Sequence, residues 1–161
     1  MQLTMSLRRE EVPRVKDALT TLRHLSRQDV AAAGSLYFRS YPLGTVADED
    51  EAIADVLAAL DGEYGDYRPD LNLVCDGVDG IVGCIMGVDS PPWPDVSDQV
   101  FIIDLFVDPR HRGQGIGREL LSAFITNTPE GRAIGLRVDS DNHPAIALYE
   151  SVGFRSVASS R

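Results

Sequence analysis

A continuous apolar run that ends in a glycine-rich loop is the feature that most constrains the fold of this chain. The run extends over Val100–Val107, where Asp104 is the only charged residue, and Asp108-Pro109 closes it. Because both odd and even positions are apolar, the run predicts a strand covered on both faces of a sheet. Beyond the glycines, apolar residues repeat at helical spacing, at Ile116, Leu120, Leu121 and Phe124. The predicted order is strand, glycine loop, helix.

The glycine loop predicts an anion site. Its residues are Arg112, Gly113, Gln114, Gly115, Ile116 and Gly117. Glycines let the backbone approach a ligand closely, and the first N–H groups of a helix have no partners within the helix. Together with the positive end of the helix dipole, these donors favour a phosphate or pyrophosphate. A tight turn without a ligand is the alternative interpretation of the same glycines.

Two nucleotide-binding motifs fit this loop poorly. A P-loop requires Gly-Lys followed by Ser or Thr, whereas Arg118-Glu119 follows Gly117, so that motif is excluded. A dinucleotide-binding loop requires G-x-G-x-x-G directly after the strand, and here residues 109–112 intervene before G-x-G-x-G. Because Asp139 lies near the spacing of a ribose-binding carboxylate, dinucleotide binding stays open as a minor alternative.

Two segments in the right order resemble the GNAT acetyltransferase superfamily. Arg112, Gly115 and Gly117 occupy the fixed positions of the family's loop, Arg/Gln-x-x-Gly-x-Gly/Ala, and residues 105–109 are similar to the strand before it. The downstream segment is similar to the family's N-x-x-A-x-x-L-Y-E-x-x-G-F, at Asn142, Ala145, Ala147-Leu148-Tyr149-Glu150 and Gly153-Phe154. The resemblance implies acetyl-CoA as the co-substrate.

The resemblance also assigns cofactor-binding residues. Residues 112–117 would hold the pyrophosphate, mostly through main-chain N–H groups. The backbone of Leu105, Phe106 and Val107 would face the pantetheine arm, and Asn142 would contact the cofactor from the other side. No metal ligands are expected, because the sequence shows no metal-ligand spacing.

Two polar residues in apolar surroundings are the catalytic candidates. Tyr149 lies on an apolar helix face, where a packed core aromatic is the ordinary interpretation, but in the family the matching tyrosine protonates the departing thiolate. Asp104 lies in the buried strand, where desolvation raises a carboxyl pKa towards the range of a base. A structural aspartate is the alternative. Many family members have Glu here, and the shorter Asp favours proton transfer through water.

Length and composition predict one domain, residues 1–161, with residues 1–17 as an N-terminal extension. The chain is 43% hydrophobic, which is enough for a core. No apolar run reaches membrane-spanning length and residues 1–17 lack the apolar core of a signal peptide, so we expect no membrane partner and a cytoplasmic location. Cys75 and Cys84, in apolar segments, are expected to be buried thiols.

Periodicity predicts an α/β fold in which a mixed central sheet has helices on both faces. The element order is βααβββαβαβ, and residues 2–8 add a strand in front because apolar and polar residues alternate there. Family members usually have a hairpin and a seventh strand after Gly153-Phe154, but only seven residues follow here. We expect the N-terminal strand to pair with an exposed sheet edge, in the same subunit or in a neighbour.

The net charge and its distribution indicate which partners the protein favours. The net charge of −10 argues against nucleic acid as the main partner. Residues 48–104 contain 15 acidic residues and one basic residue, Arg68. This segment includes the acceptor side of the family fold, so it favours a cationic acceptor, although solubility alone is another explanation. Trp93, in a proline-rich loop, either lines an acceptor pocket or clamps that loop.

The sequence therefore predicts an acetyl-CoA-dependent N-acetyltransferase that works by direct attack of an amine in a ternary complex, with O-acetyl transfer less favoured. The acceptor is a small molecule or a peptide: protein lysine, protein N-terminus, polyamine, aminoglycoside and amino acid all fit. The alternative is a CoA-binding regulatory or partner-binding module without turnover. A homodimer is expected from the resemblance alone.

Overall fold

The chain forms one mixed sheet with helices on both of its faces. The computed structural model describes residues 1–9, 22–42 and 44–157. The strands are β1 (Gln2–Arg8), β2 (Leu22–His24), β3 (Asp66–Tyr67), β4 (Leu73–Gly77), β5 (Gly80–Asp89), β6 (Val100–Val107), β7 (Ala133–Asp139) and β8 (Arg155–Ser156). The helices are α1 (Val30–Ser40), α2 (Glu49–Leu60), α3 (Ile116–Asn127) and α4 (His143–Ser151).

The strand order is β2-β4-β5-β6-β7-β1-β8, and β3 pairs with β5. Neighbouring strands are antiparallel except β6 and β7, which are parallel. The α/β class, the mixed sheet and helices on both faces are thus confirmed. The two-residue strand β3 adds to the predicted order, and a 3-10 turn at Pro69–Leu71 precedes β4.

The N-terminal strand lies between β7 and β8 in the sheet, within the same chain. It pairs with β7 along its whole length, from Gln2 opposite Asp139 to Arg8 opposite Ala133, and with β8 at Met5 and Ser6. The predicted strand is therefore confirmed, and its partners are these two strands. Residues 18–21 lie outside the described residues, and they are the first four of a strand that the sequence predicts over residues 18–24. Residues 10–17 of the extension lie outside them too, as does residue 158, the last of a strand that the sequence predicts over residues 154–158.

Two apolar layers cover the sheet. One face packs against α1 and α2, through sheet residues Val74, Ile81, Cys84, Met86 and Phe106. The other face packs against α3 and α4, through sheet residues that include Met5, Leu73, Ile85, Ile102, Ile134 and Leu136. Because both faces are buried, the central strands are nearly continuous apolar runs, as expected for a sheet covered by helices.

Candidate active site

Strands β6 and β7 separate at the centre of the sheet. Their parallel pairing covers only three positions, of which Ile102 opposite Leu136 is the last. Residues 104–107 of β6 pair with β5 but not with β7, so their other backbone edge faces an opening in the sheet. An unpaired strand edge offers main-chain donors and acceptors to an extended ligand.

A β-bulge determines which face of the sheet Asp104 occupies. Met86 pairs with Asp104 and the next residue of β5, Gly87, pairs with Ile102, which leaves Ile103 as the extra residue. Before the bulge, even-numbered residues of β6 pack towards α3; after it, odd-numbered residues do. Since alternate residues of a strand face opposite sides, the bulge turns Asp104 to the side of α1 and α2.

The glycine loop lies at the end of β6 and opens α3. Gly113 and Gly115 have φ of +80° and +83°, a left-handed conformation that glycine adopts without strain, and a Cβ at either position would meet no atom within 4 Å. Among the described residues, no main-chain carbonyl outside the regular helix bonds accepts a hydrogen bond from the N–H groups of residues 112–117. Residues 112–115 are exposed, as an anion site requires.

Buried ionic contacts anchor the start of the loop. Asp108 is 1% exposed and accepts hydrogen bonds from Arg39 (3.3 Å) and Arg110 (3.1 Å). The Arg110 contacts hold the pKa of Asp108 well below its usual range. The Arg112 guanidinium donates to the Ser40 carbonyl at the end of α1 (2.6 Å). The side chain of Arg112 therefore serves the protein scaffold, which leaves its main chain for a ligand.

Asp104 is a half-buried carboxylate with a tyrosine as its partner. The Tyr41 hydroxyl donates to Asp104 Oδ1 at 3.2 Å. The pKa of Asp104 is raised to about 7, mainly by burial. The hydrogen bond from Tyr41 lowers this pKa, and the negative charge of Asp55 raises it further. A carboxylate of this pKa accepts a proton near neutral pH. Neither Tyr41 nor Asp55 was predicted, because both lie outside the two motifs.

Tyr149 lies on the other side of the opening. It is 7% exposed, packs in the layer with α3 and contacts the Phe154 ring at a centroid distance of 5.8 Å. Burial, and after it the charge of Asp104, raises the pKa of Tyr149 to about 12. The hydroxyl thus stays protonated at neutral pH, as a general acid must, and lies within the electrostatic field of Asp104.

The remaining predicted cofactor residues surround the opening. Phe106 is buried against α1 and α2, while Leu105 and Val107 pack on the α3 side, so all three present backbone at the unpaired edge. Asn142 precedes α4, where its side chain caps the helix by accepting from the Ala145 N–H (3.3 Å). Its capping role is established by this contact, and its cofactor contact stays a prediction.

The acidic segment is partly neutralised by arginine. Within residues 48–104, ion pairs with arginines involve Asp61, Asp70, Asp76, Asp89 and Asp95. Two other acids, Asp55 and Asp104, are half-buried and have no ion pair within the described part of the chain. They contact tyrosine hydroxyls instead, Asp55 at 3.4 Å from Tyr64 and Asp104 at 3.2 Å from Tyr41.

Trp93 clamps its loop to the sheet. Its ring lies 5.2 Å from the Phe101 ring, and the Arg137 guanidinium lies 5.3 Å from its centroid. Arg137 also binds Asp95 of the same loop at 2.8 Å. These contacts favour the clamp over the pocket wall. Both cysteines are buried thiols, as predicted.

The described residues contain neither a membrane-spanning helix nor a cluster of metal-ligating side chains. No helix there has the length and apolar character needed to cross a membrane. No group of three or more His, Cys, Asp or Glu side chains among the same residues is placed to hold a metal ion.

Comparison with known proteins extends the resemblance to most of the chain. The family model "Acetyltransferase (GNAT) family" matches residues 32–154. PH1933 from Pyrococcus horikoshii has a similar structure, with a TM-score of 0.69 and 24% identity over 88% of this chain and 93% of that chain. The protein yncA from Salmonella typhimurium, solved with acetyl-CoA, has a TM-score of 0.61 and 23% identity over 84% and 79% of the two chains. At these identities, the likeness shows the fold.

A curated relative matches the segment that carries the motifs. N-alpha-acetyltransferase RimI of Mycobacterium tuberculosis is 47% identical over 51 residues, which are 32% of this chain and 32% of the relative. The chain spans at most a third of the length of the first curated relatives it matches. The family assignment therefore depends on the family model, which covers most of the sheet and all four helices except the first two residues of α1. On that match, this chain belongs to the acetyltransferase (GNAT) family.

Proposed function

We propose that this chain transfers the acetyl group of acetyl-CoA to a cationic amine by direct attack in a ternary complex. The observation that carries the proposal is the opening between β6 and β7, which has the glycine loop at its end, Asp104 on one side and Tyr149 on the other. In this proposal the main-chain N–H groups of residues 112–117 bind the pyrophosphate. The free edge of residues 105–107 pairs with the pantetheine amides, and Asn142 closes the site from α4.

Each group has a defined part in the proposed reaction. The amine arrives as an ammonium, and Asp104 accepts a proton from it through a water molecule. The amine nitrogen then forms a bond to the thioester carbon and loses its second proton to solvent, while the carbon–sulfur bond breaks. Tyr149 donates its proton to the departing thiolate. The products are an amide and the free thiol of CoA.

Release of free thiol from acetyl-CoA tests this function. The full chain is incubated with acetyl-CoA and one amine class at a time: lysine peptides, peptides with free N-termini, polyamines, aminoglycosides and amino acids. We expect thiol release above the solvent rate with at least one class of cationic amine. The relative named N-alpha-acetyltransferase makes peptide N-termini a class to include. Binding of acetyl-CoA without thiol release from any amine would favour the regulatory or partner-binding alternative.

Replacement of Tyr149 by Phe should lower kcat by about 100-fold and leave acetyl-CoA affinity nearly unchanged, since the ring stays packed and only the proposed acid is lost. The measurement is kcat from thiol release and Kd from calorimetry. Tyr67→Phe is the matched control, because its hydroxyl donates to the Leu25 carbonyl (3.4 Å), away from the opening. An unchanged kcat in Tyr149→Phe would show that Tyr149 is a packed core residue and not the general acid.

The unpaired carboxylates support a cationic acceptor. Asp55 and Asp104 are half-buried without an ion-pair partner among the described residues, and the negative charge of Asp55 raises the proton affinity of Asp104. An incoming ammonium removes that repulsion, and clefts of one sign attract ligands of the opposite sign. Tyr37 adds an aromatic face on the same side of the sheet, where its pKa rises by burial and then by the charges of Asp104 and Asp55.

Increasing ionic strength should therefore lower kcat/KM for polycationic amines, because salt screens the attraction. Asp55→Asn should raise KM for diamines and weaken this salt dependence. Asp66→Asn removes the same charge from an exposed position on β3 and serves as the control. A flat salt profile, or better activity with neutral or anionic acceptors, would contradict the cationic acceptor. A cytoplasmic location and a homodimer remain predictions from composition and from family resemblance, respectively.

A further inference from the structure

The C-terminal corner of α1 contacts both halves of the proposed site. At Ser40, the main-chain carbonyl accepts a hydrogen bond from Arg112 Nη2 of the glycine loop (2.6 Å). At the next residue, the Tyr41 hydroxyl donates to Asp104 Oδ1 (3.2 Å). Two adjacent residues thus join the cofactor loop to the proposed base. Neither contact belongs to the two sequence motifs, which lie more than 60 positions downstream of Tyr41.

Packing fixes the direction of the Tyr41 hydroxyl. Tyr41 ends α1 with extended backbone angles, φ −101° and ψ 157°, and Pro42 follows it. Its ring contacts the rings of Tyr37 (4.7 Å between centroids) and Phe106 (6.3 Å). The ring therefore has aromatic neighbours from both the helix and the sheet, which restricts its rotamer and holds the hydroxyl at Asp104.

Among the described residues, no opposite charge forms an ion pair with Asp104 to stabilise its ionised form. The titratable groups around it, from each element packed against it, are Tyr37 and Tyr41 of α1, Asp55 of α2, Tyr64 after α2, Cys84 of β5 and Tyr149 of α4. Neither arginine nor histidine of the described residues forms an ion pair with Asp104. Its partner is the neutral Tyr41 hydroxyl, whose own pKa lies well above the ordinary value because it is buried beside Asp104.

We propose that Tyr41 is a positioning residue that holds the Asp104 carboxylate ionised and oriented towards the acceptor, from a corner that Arg112 fixes to the cofactor loop. The inference rests on the proposed function, because it takes Asp104 as the base. Burial and Asp55 favour the neutral acid, and the hydrogen bond from Tyr41 opposes them. Removal of that hydrogen bond must therefore raise the pKa of Asp104.

Tyr41→Phe tests the inference, since the substitution keeps the ring contacts and removes the hydroxyl. We expect the acidic limb of the kcat/KM profile to move to higher pH by about one unit, the size expected for one hydrogen bond to a charged group. Activity should fall roughly fivefold at pH 7 and little at pH 9, because a pKa shift of that size matters only below the new pKa. The Kd of acetyl-CoA should stay within about twofold, as no contact to the cofactor is removed.

Two further measurements separate positioning from mere packing. Tyr37→Phe removes the hydroxyl of the neighbouring ring. Because Tyr41, not Tyr37, donates the hydrogen bond to Asp104, this variant should leave the acidic limb of the kcat/KM profile in place. In an Asp104→Asn background, Tyr41→Phe should have no additional effect on kcat/KM, because both changes act on one group. A limb that does not move in Tyr41→Phe, or an additive loss in the double variant, would overturn the inference.

An NMR titration of the Asp104 carboxyl carbon needs no substrate and gives the outcome independently of turnover. In the full chain labelled at aspartate side chains, the Asp104 resonance is assigned by its loss in Asp104→Asn. We expect its midpoint to rise in Tyr41→Phe and to stay in place in Tyr37→Phe. A rise without any amine acetylation would support the hydrogen bond's effect and refute the proposed function. Turnover with an unmoved midpoint would refute the role of Tyr41 alone.

Discussion

Deletion of residues 1–9 is expected to abolish the cooperative thermal unfolding of the protein. The deletion removes β1 from between β7 and β8 and leaves two strand edges without partners. It also removes Met5, which is 0% exposed in the layer under α3 and α4, and the partly buried Leu3 and Leu7 beside it. Unpaired apolar edges pair with other chains, so oligomers or aggregates should replace the native species.

Single substitutions show whether the strand acts through packing. Met5→Ala should cost about 2–5 kcal/mol by the cavity it leaves, which corresponds to a Tm lower by about 10 °C for a chain of this size. Thr4→Ala changes the adjacent residue, which points away from that layer, and should change Tm by about 2 °C or less. Calorimetry gives both values. A truncated chain with native Tm and native mass would show that β1 is dispensable.

Gly115→Asp is expected to abolish acetyl-CoA binding in a folded protein. A side chain at this position enters the open space in front of the loop donors, and its negative charge faces the site proposed for the pyrophosphate. Loss of two or more charge-assisted hydrogen bonds corresponds to about 100-fold or more in Kd. Asp tolerates the left-handed backbone better than most residues, so the chain should still fold.

Gly131→Asp is the matched control for that variant. Gly131 has φ of +82°, nearly the value of Gly115, and a Cβ there also meets no atom within 4 Å, but the residue lies in the turn between α3 and β7. Both variants carry the same backbone strain and the same added charge. Melting curves should therefore change alike, and calorimetry should detect acetyl-CoA binding only to Gly131→Asp. Equal affinity of the two variants for acetyl-CoA would show that the glycine loop is not part of the cofactor site.

Local patterns predicted the elements that carry the cofactor motif. The apolar run of β6 and the helical spacing of α3 are signals within about ten residues, and burial on both sheet faces produces the first while an amphipathic face produces the second. The glycines themselves indicate where the loop lies, because the left-handed backbone at Gly113 and Gly115 excludes most other residues. Interactions between residues close in sequence were therefore enough to predict this part of the candidate site.

Contacts between distant residues were beyond those patterns. The bulge at Ile103 turns Asp104 to the side of α1, although regular alternation carries no sign of the extra residue. Tyr41 meets Asp104 across 63 positions, and Arg132 neutralises Asp89 across 43. The prediction from the net charge of residues 48–104 therefore left out the arginines that neutralise part of that segment, because these arginines are scattered through the chain. Such pairings depend on topology, which periodicity alone does not determine.

The position of β1 between β7 and β8 also bears on the order in which the protein is built. Arg8 pairs with Ala133 and Met5 with Ser156, so β1 pairs with strands that lie far downstream in the chain. Closing such a long loop costs chain entropy and slows folding. During synthesis, β2 to β6 gain their partners while β1 stays without its own. The apolar side of β1 is thus exposed until β7 and β8 emerge, so pairing of β1 is a late step in forming the sheet.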